Sequence, residues 1–136
     1  MEAAATLPVS PDPAWGEDIC RELHENAFNG RVGQALLSET EDVRVWTIRL
    51  APGERVGFHR HQLKYFWTAL TPGSSRSRFS TGETRETAYQ AGDVRHFDFG
   101  PGEFMIHDLE NIGPTDLVFV TVEMKRCANP PLPVER

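Results

Sequence analysis

"PGERVGFHRHQLKYFWTALTPG", Pro52 to Gly73, opens on a Pro-Gly turn, sets two histidines two residues apart and closes on a second Pro-Gly turn. The residues between are rich in aromatic and β-branched types, so the stretch reads as two strands, "RVGFHRH" and "KYFWTALT". On an extended strand, side chains at i and i+2 share a face about 7 Å apart. His59 and His61 can therefore converge on one point. Imidazole nitrogen suits zinc, copper, iron and nickel, but two histidines make an incomplete site, and a third ligand must come from elsewhere.

Outward from this segment the same punctuation continues. Short β-rich runs alternate with turns at Pro52-Gly53, Pro72-Gly73, Gly82, Gly92, Pro101-Gly102 and Gly113-Pro114. The remaining candidate strands are "QALLSE", "DVRVWTIRL", "SRSRFST", "RETAYQ", "VRHFDF", "EFMIHDLEN" and "DLVFVTVEMK". The last is nearly continuous apolar sequence, as expected of a strand covered on both faces. Around nine short strands with little helix predict an all-β sandwich or barrel, closed as a jelly roll to protect its edges.

The flanks differ from this body. Three prolines between Leu7 and Trp15 mark an irregular arm, and "NPPLPVER", Asn129 to Arg136, is a tail that cannot enter a sheet. "EDICRELHENAFN", Glu17 to Asn29, spaces Ile19, Leu23 and Ala27 for a short helix ending at Asn29-Gly30, with His24 on a different, surface side. The expected organisation is an arm with a short helix over 1–31, a barrel over 32–126 and a proline-rich tail over 127–136.

A hydrophobic fraction of 39% and a charged fraction of 25% are those of a soluble globular chain, long enough for one real core. The net charge of −6 argues against nucleic acid as a partner. Arg76, Arg78 and Arg85 lie among Glu83 and Glu86 and read as the solvated face of a hairpin. Cys20 and Cys127 match no zinc or redox spacing and read as reduced structural thiols. The N-terminus has neither a basic start nor a long apolar run, so no signal, membrane anchor or membrane partner is expected, and the cytoplasm is the default location.

The third ligand candidate is His107 in "FMIHDLENIG", which shares its parity with Met105 and Leu109 and so faces inward. His96, in "DVRHFDF", shares parity with Val94 and Asp98, opposite Arg95, Phe97 and Phe99. If the phenylalanines face the core, His96 is a surface residue; the reverse register places His96 and Asp98 in the pocket as an acid or base. Tyr65 and Trp67 share a parity and either line the cavity or fill the core.

These residues together resemble the cupins, whose first motif reads G-x5-H-x-H-x3,4-E-x6-G and whose second reads G-x5-P-x-G-x2-H-x3-N. Gly53, His59, His61 and Gly73 match the first, and Gly92, His107 and Asn111 match the second. The resemblance spans about Leu36 to Lys125. Two departures stand out. The motif glutamate is missing, with Tyr65 or Phe66 in its place; the spacing to Gly73 suits Phe66 and the parity suits Tyr65. About four extra residues also separate Gly92 from His107, and the loop Asp98 to Glu103 reshapes one rim, where Asp98 is a candidate replacement carboxylate.

The resemblance implies a double-stranded β-helix holding Fe, Mn, Ni, Zn or Cu on His59, His61 and His107, with Tyr65, Trp67, His96, Asp98 and Met105 as pocket-lining candidates. Three neutral imidazoles leave an ion its full charge, which favours an anionic or enolate-forming substrate. The function implied is a metal-dependent dioxygenase acting on a small organic acid, thiol or dicarbonyl. The alternatives are a non-catalytic cupin binding a small molecule without metal, and a metal-independent isomerase or lyase relying on His96 or Tyr65. The resemblance also implies a homodimer paired by sheet edges, with the N-terminal arm and the strand after it as candidates to reach across to a neighbour.

Overall fold

The computed structural model describes residues 9–134. All nine expected strand segments are strands: β1 (Ala35–Glu39), β2 (Val43–Leu50), β3 (Arg55–His61), β4 (Lys64–Ala69), β5 (Gly73–Arg78), β6 (Thr84–Tyr89), β7 (Val94–Phe97), β8 (Met105–Asn111) and β9 (Leu117–Met124). They form two antiparallel sheets, one in the order β1-β2-β9-β4-β7 and the other β3-β8-β5-β6. This is an all-β jelly-roll architecture, in which two sheets bury their facing sides. The apolar run of β9 fits its place in the sheet, since it pairs β2 along one edge and β4 along the other.

The interior between the sheets is divided. One part is filled by Ile48, Leu50, Ala69, Leu109, Leu117 and Phe119, with Val56, Trp67 and Tyr89 packed against them. Asn111, the asparagine of the second motif, closes that part: its side-chain amide donates to the carbonyls of Leu50 and Thr115, and its own carbonyl accepts from Gly53. Gly53 sits at φ +85 in the turn ahead of β3, a conformation open to glycine at no steric cost. The other part of the interior is a cavity.

The back of the second sheet is covered by helix α1 (Glu17–Glu25). Leu23, Phe58 and Ile106 make a small second core there, joined by Val9, Trp15, Ile19, Ala27 and Phe104. The helix is shorter than the expected Glu17 to Asn29. It stops at Glu25 because Asn29 serves the sheet instead: its side chain donates to the Phe58 carbonyl and its own carbonyl accepts from the Arg60 amide. His24 lies exposed on the helix.

The described part of the arm lies against the barrel: Ser10 donates to the Ser80 carbonyl at 2.7 Å, and Trp15 lies 6.3 Å from the Phe58 ring. Leu7 and Pro8 lie outside the described residues, as do Glu135 and Arg136 of the tail. Within the tail, Asn129 is buried and bonds Gln62, Gly100 and Gly102, so this segment is tied to the barrel without joining a sheet. Both cysteines are free thiols.

The hairpin β5-β6 corrects the reading of its arginines. Arg76 pairs with Glu86 on the exposed side as expected. Arg78 instead contacts the fully buried Asp108 at 2.7 Å, and Arg85 points to the opposite face, at the rim of the cavity. The sequence alternation was right but did not say which face was wet.

Candidate metal centre and pocket

The site begins with a bulge. On β3, Val56 opposes Leu109 and His59 opposes His107, so Gly57 and Phe58 together face the single residue Asp108. A bulge inserts one residue and reverses the alternation beyond it. Val56 and His59 therefore both point inward, while Arg55, Phe58 and Arg60 face the helix side. Without it, Arg55 rather than Val56 would share the histidine face.

The bulge also frees backbone groups that would otherwise pair in the ladder. The Gly57 carbonyl accepts from His59 Nδ1 at 2.8 Å. A carbonyl only accepts, so Nδ1 carries the hydrogen and, in the neutral ring, Nε2 keeps a lone pair. The Phe58 amide donates to Glu22 Oε2 on α1 at 2.9 Å. Glu22 in turn makes paired contacts to Arg55 at 2.7 and 2.8 Å, and Arg55 reaches Asp108 at 2.8 Å.

On the inner face, His59, His61 and His107 meet. Their ring centroids are 4.7 to 5.1 Å apart, with the planes steeply inclined to one another, and one nitrogen of each lies within 4.8 Å of the others. Burial drives the pKa of His61 and His107 well below 6.5, and the neighbouring histidines add to the effect. Burial also lowers His59, against the opposing pull of Gly57 and the Asp108 charge. All three rings are neutral near pH 7, the state a metal requires. His61 Nδ1 and His107 Nδ1 are buried without a hydrogen-bond partner among the described residues, an arrangement that costs about 1–3 kcal/mol each. Converging neutral imidazoles with unpaired nitrogens fit a divalent transition ion.

Of the two residues at the missing glutamate position, Tyr65 is the one facing the site. Its ring stacks on His61 at 4.0 Å and 13°, and on its other side against Phe97 at 4.7 Å and 7°. Burial, reinforced by the Glu123 charge, raises the Tyr65 hydroxyl well above 10, so it stays protonated. Phe66 points the other way, 5.4 Å from the His96 ring.

The cavity encloses about 160 Å³. Trp67, Tyr89 and Phe119 meet edge to face at 4.9 to 5.6 Å on its lining, and Met105, Leu109 and Ile48 add apolar surface. Tyr65, Trp67 and Met105 thus border the cavity, but His96 and Asp98 do not. Both are exposed, because β7 turns Phe97 inward, with Arg95 at the cavity rim on the same face, through its pairing with β4. Asp98 lies in a separate shallow depression near Lys64 and Arg126 and supplies no carboxylate to the histidines. Sequence reasoning missed Ser77, Phe79, Arg85, Tyr89 and Arg95 on the lining. The alternation of Arg85, Thr87 and Tyr89 was visible; the side it faced was not.

No family model matches the sequence, and no curated protein matches it significantly. Solved structures do. A cupin domain from Bordetella pertussis is 26% identical with a TM-score of 0.59, over 67% of this chain and 90% of that one. A Klebsiella pneumoniae protein with a double-stranded β-helix domain is 26% identical with a TM-score of 0.54, over 70% and 77%. An RmlC-like cupin family protein from Methanocaldococcus jannaschii, 21% identical with a TM-score of 0.52 over 65% and 75%, shares the fold. With two sheets in this order and both histidine motifs meeting on their inner face, the chain has the cupin double-stranded β-helix fold, with a first motif that lacks its glutamate.

Proposed function

We propose that this cupin is a metal-dependent enzyme, a dioxygenase acting on a small organic acid, thiol or dicarbonyl, with the metal held by His59, His61 and His107. The observation that supports it is the meeting of three neutral imidazoles, two buried and one half-buried, at the wall of the cavity. A bound ion there supplies Lewis acidity, and iron adds redox chemistry toward dioxygen. The chain's own residues supply the rest. Gly57 fixes the tautomer of His59. Tyr65 and Phe97 wall the histidines from water, and the un-ionised Tyr65 hydroxyl remains a hydrogen-bond donor. The Trp67, Tyr89 and Phe119 rings hold an apolar substrate body.

Elemental analysis of untagged protein tests the reading. About one transition ion per chain, with a melting temperature that rises on adding iron and loses that response in His107→Ala, is the expected result. Metal below about a tenth of an ion per chain, with no thermal response to iron, manganese or zinc, overturns it.

A second reading is favoured by Tyr65 in place of a carboxylate ligand: a non-catalytic module that binds a small molecule in the same cavity. Oxygen consumption by the iron-loaded protein with a dicarbonyl or thiol excludes it. The isomerase or lyase alternative loses His96, which faces solvent, and retains Tyr65 alone. Homodimer formation belongs to the same proposal. Among the described residues β1 is an edge strand of its sheet, with Leu37 59% exposed, and sedimentation of wild type against Leu37→Asp tests that edge.

A further inference from the structure

We propose that Arg85 and Arg95 form an anion subsite at the mouth of the cavity, and that the substrate is a small organic acid whose carboxylate docks there and not on the histidines. The inference rests on reading this cavity as the small-molecule site. β6 and β7 are consecutive in the chain, and each forms one edge of its sheet. Each places one solvent-accessible arginine at the rim of the cavity: Arg85 shares the face of Thr87 and Tyr89, and Arg95 that of Phe97. No aspartate or glutamate lines the cavity among the described residues, although the chain holds 20 acidic residues against 14 basic ones. The positive mouth is therefore a local construction and not a consequence of overall charge.

Each guanidinium is placed by the aromatic lining. Arg85 Cζ lies 4.9 Å from the Phe79 ring, and that ring lies 5.4 Å from His107. Arg95 Cζ lies 6.0 Å from the Phe97 ring, and Arg95 borders the cavity beside Phe97. Arg95 has no carboxylate partner among the described residues, and Arg85 has only the exposed Glu83 at 3.5 Å. A guanidinium presents a planar fork of donors that matches a carboxylate. Two such forks with their donors largely unused recognise an incoming anion, and the aromatic floor takes its apolar body. A cavity of about 150 Å³ holds one benzene, so the 160 Å³ here sets the substrate as a short acid with a body of about that size.

The test uses the full chain stripped of metal by chelator dialysis, with benzoate and its neutral isostere benzamide as probes, read by tryptophan fluorescence and melting temperature. Benzoate is expected to bind at least about tenfold more tightly than benzamide, and to weaken as salt rises. Arg95→Gln and Arg85→Gln are expected each to lose severalfold in benzoate affinity, the double variant to abolish the preference, and Arg95→Lys to keep part of it. Equal binding of the two probes by the wild type overturns the subsite without recourse to any variant. So does an unchanged benzoate affinity in a folded double variant, or no benzoate binding at about 20 mM. Metal content of the undialysed protein separates this from the function above. Bound metal with no benzoate preference removes the subsite and leaves the histidine site, whereas a benzoate preference with no metal does the reverse.

Discussion

Glu22 Oε2 accepts the backbone amide of Phe58 at 2.9 Å, so a helix carboxylate fills a gap that the β3 bulge leaves in its sheet. The same bulge turns His59 inward and offers it the Gly57 carbonyl. Gly57 leaves room for this contact, since a Cβ there would stand 3.0 Å from Glu22 Oε2 and the carboxylate would have to shift by a few tenths of an ångström. The helix is thereby joined to the histidine strand through one carboxylate.

Glu22→Ala is expected to destabilise the fold by about 2 kcal/mol, because it leaves a half-buried amide without its acceptor and the Arg55 guanidinium with Asp108 alone. Glu22→Gln, which keeps an acceptor for Phe58 but no charge for Arg55, is expected to lose about half of that. Urea denaturation of the three proteins measures the order; an alanine variant as stable as wild type refutes the coupling.

Asp108 is completely buried between Arg55 and Arg78, which contact it at 2.8 and 2.7 Å, and it also accepts the Arg78 amide. Removing one partner of a buried ionic cluster leaves uncompensated charge. Asp108→Asn is expected to cost about 3–5 kcal/mol in denaturant unfolding, more than any single change on the exposed Arg76–Glu86 pair.

Glu123 is buried beside Trp46, whose Nε1 donates to it at 2.8 Å, and burial pushes its carboxyl up to about 7 from 4.5. The unfolded chain loses this proton first as pH rises, so stability falls between pH 4.5 and 7 and levels off above. The loss amounts to about 3 kcal/mol. Glu123→Gln mimics the protonated form and is expected to match wild type near pH 4.5 and exceed it by about that amount at pH 8. Melting curves across this range check the sign, and a constant difference contradicts it.

Tyr65→Glu restores the carboxylate of the first cupin motif beside His61. It also places an acid opposite Glu123, its partner in the β4-β9 pairing. The metal-free variant is expected to melt several degrees lower than wild type, while its metal affinity rises at least about tenfold, as a charged ligand adds to three neutral ones. Chelator competition measures the affinity; weaker binding than wild type would show that the Tyr65 position does not face the ion.

Local sequence determined the nine strands, since turn residues and alternation are written within a few positions of each element, and two spaced motifs marked His59, His61 and His107. Alternation names the residues that share a face without naming the face that is buried. Only the sheet pairing decided that Arg85 and Arg95 line the cavity while His96 and Asp98 face solvent, and that Tyr65 and not Phe66 stacks on His61. The β3 bulge defeats alternation outright, placing Val56 with His59 and turning Arg55 away from both. The Glu22, Arg55 and Asp108 network joins groups 33 and 53 residues apart; distant charges carry no mark of partnership until the fold brings them together.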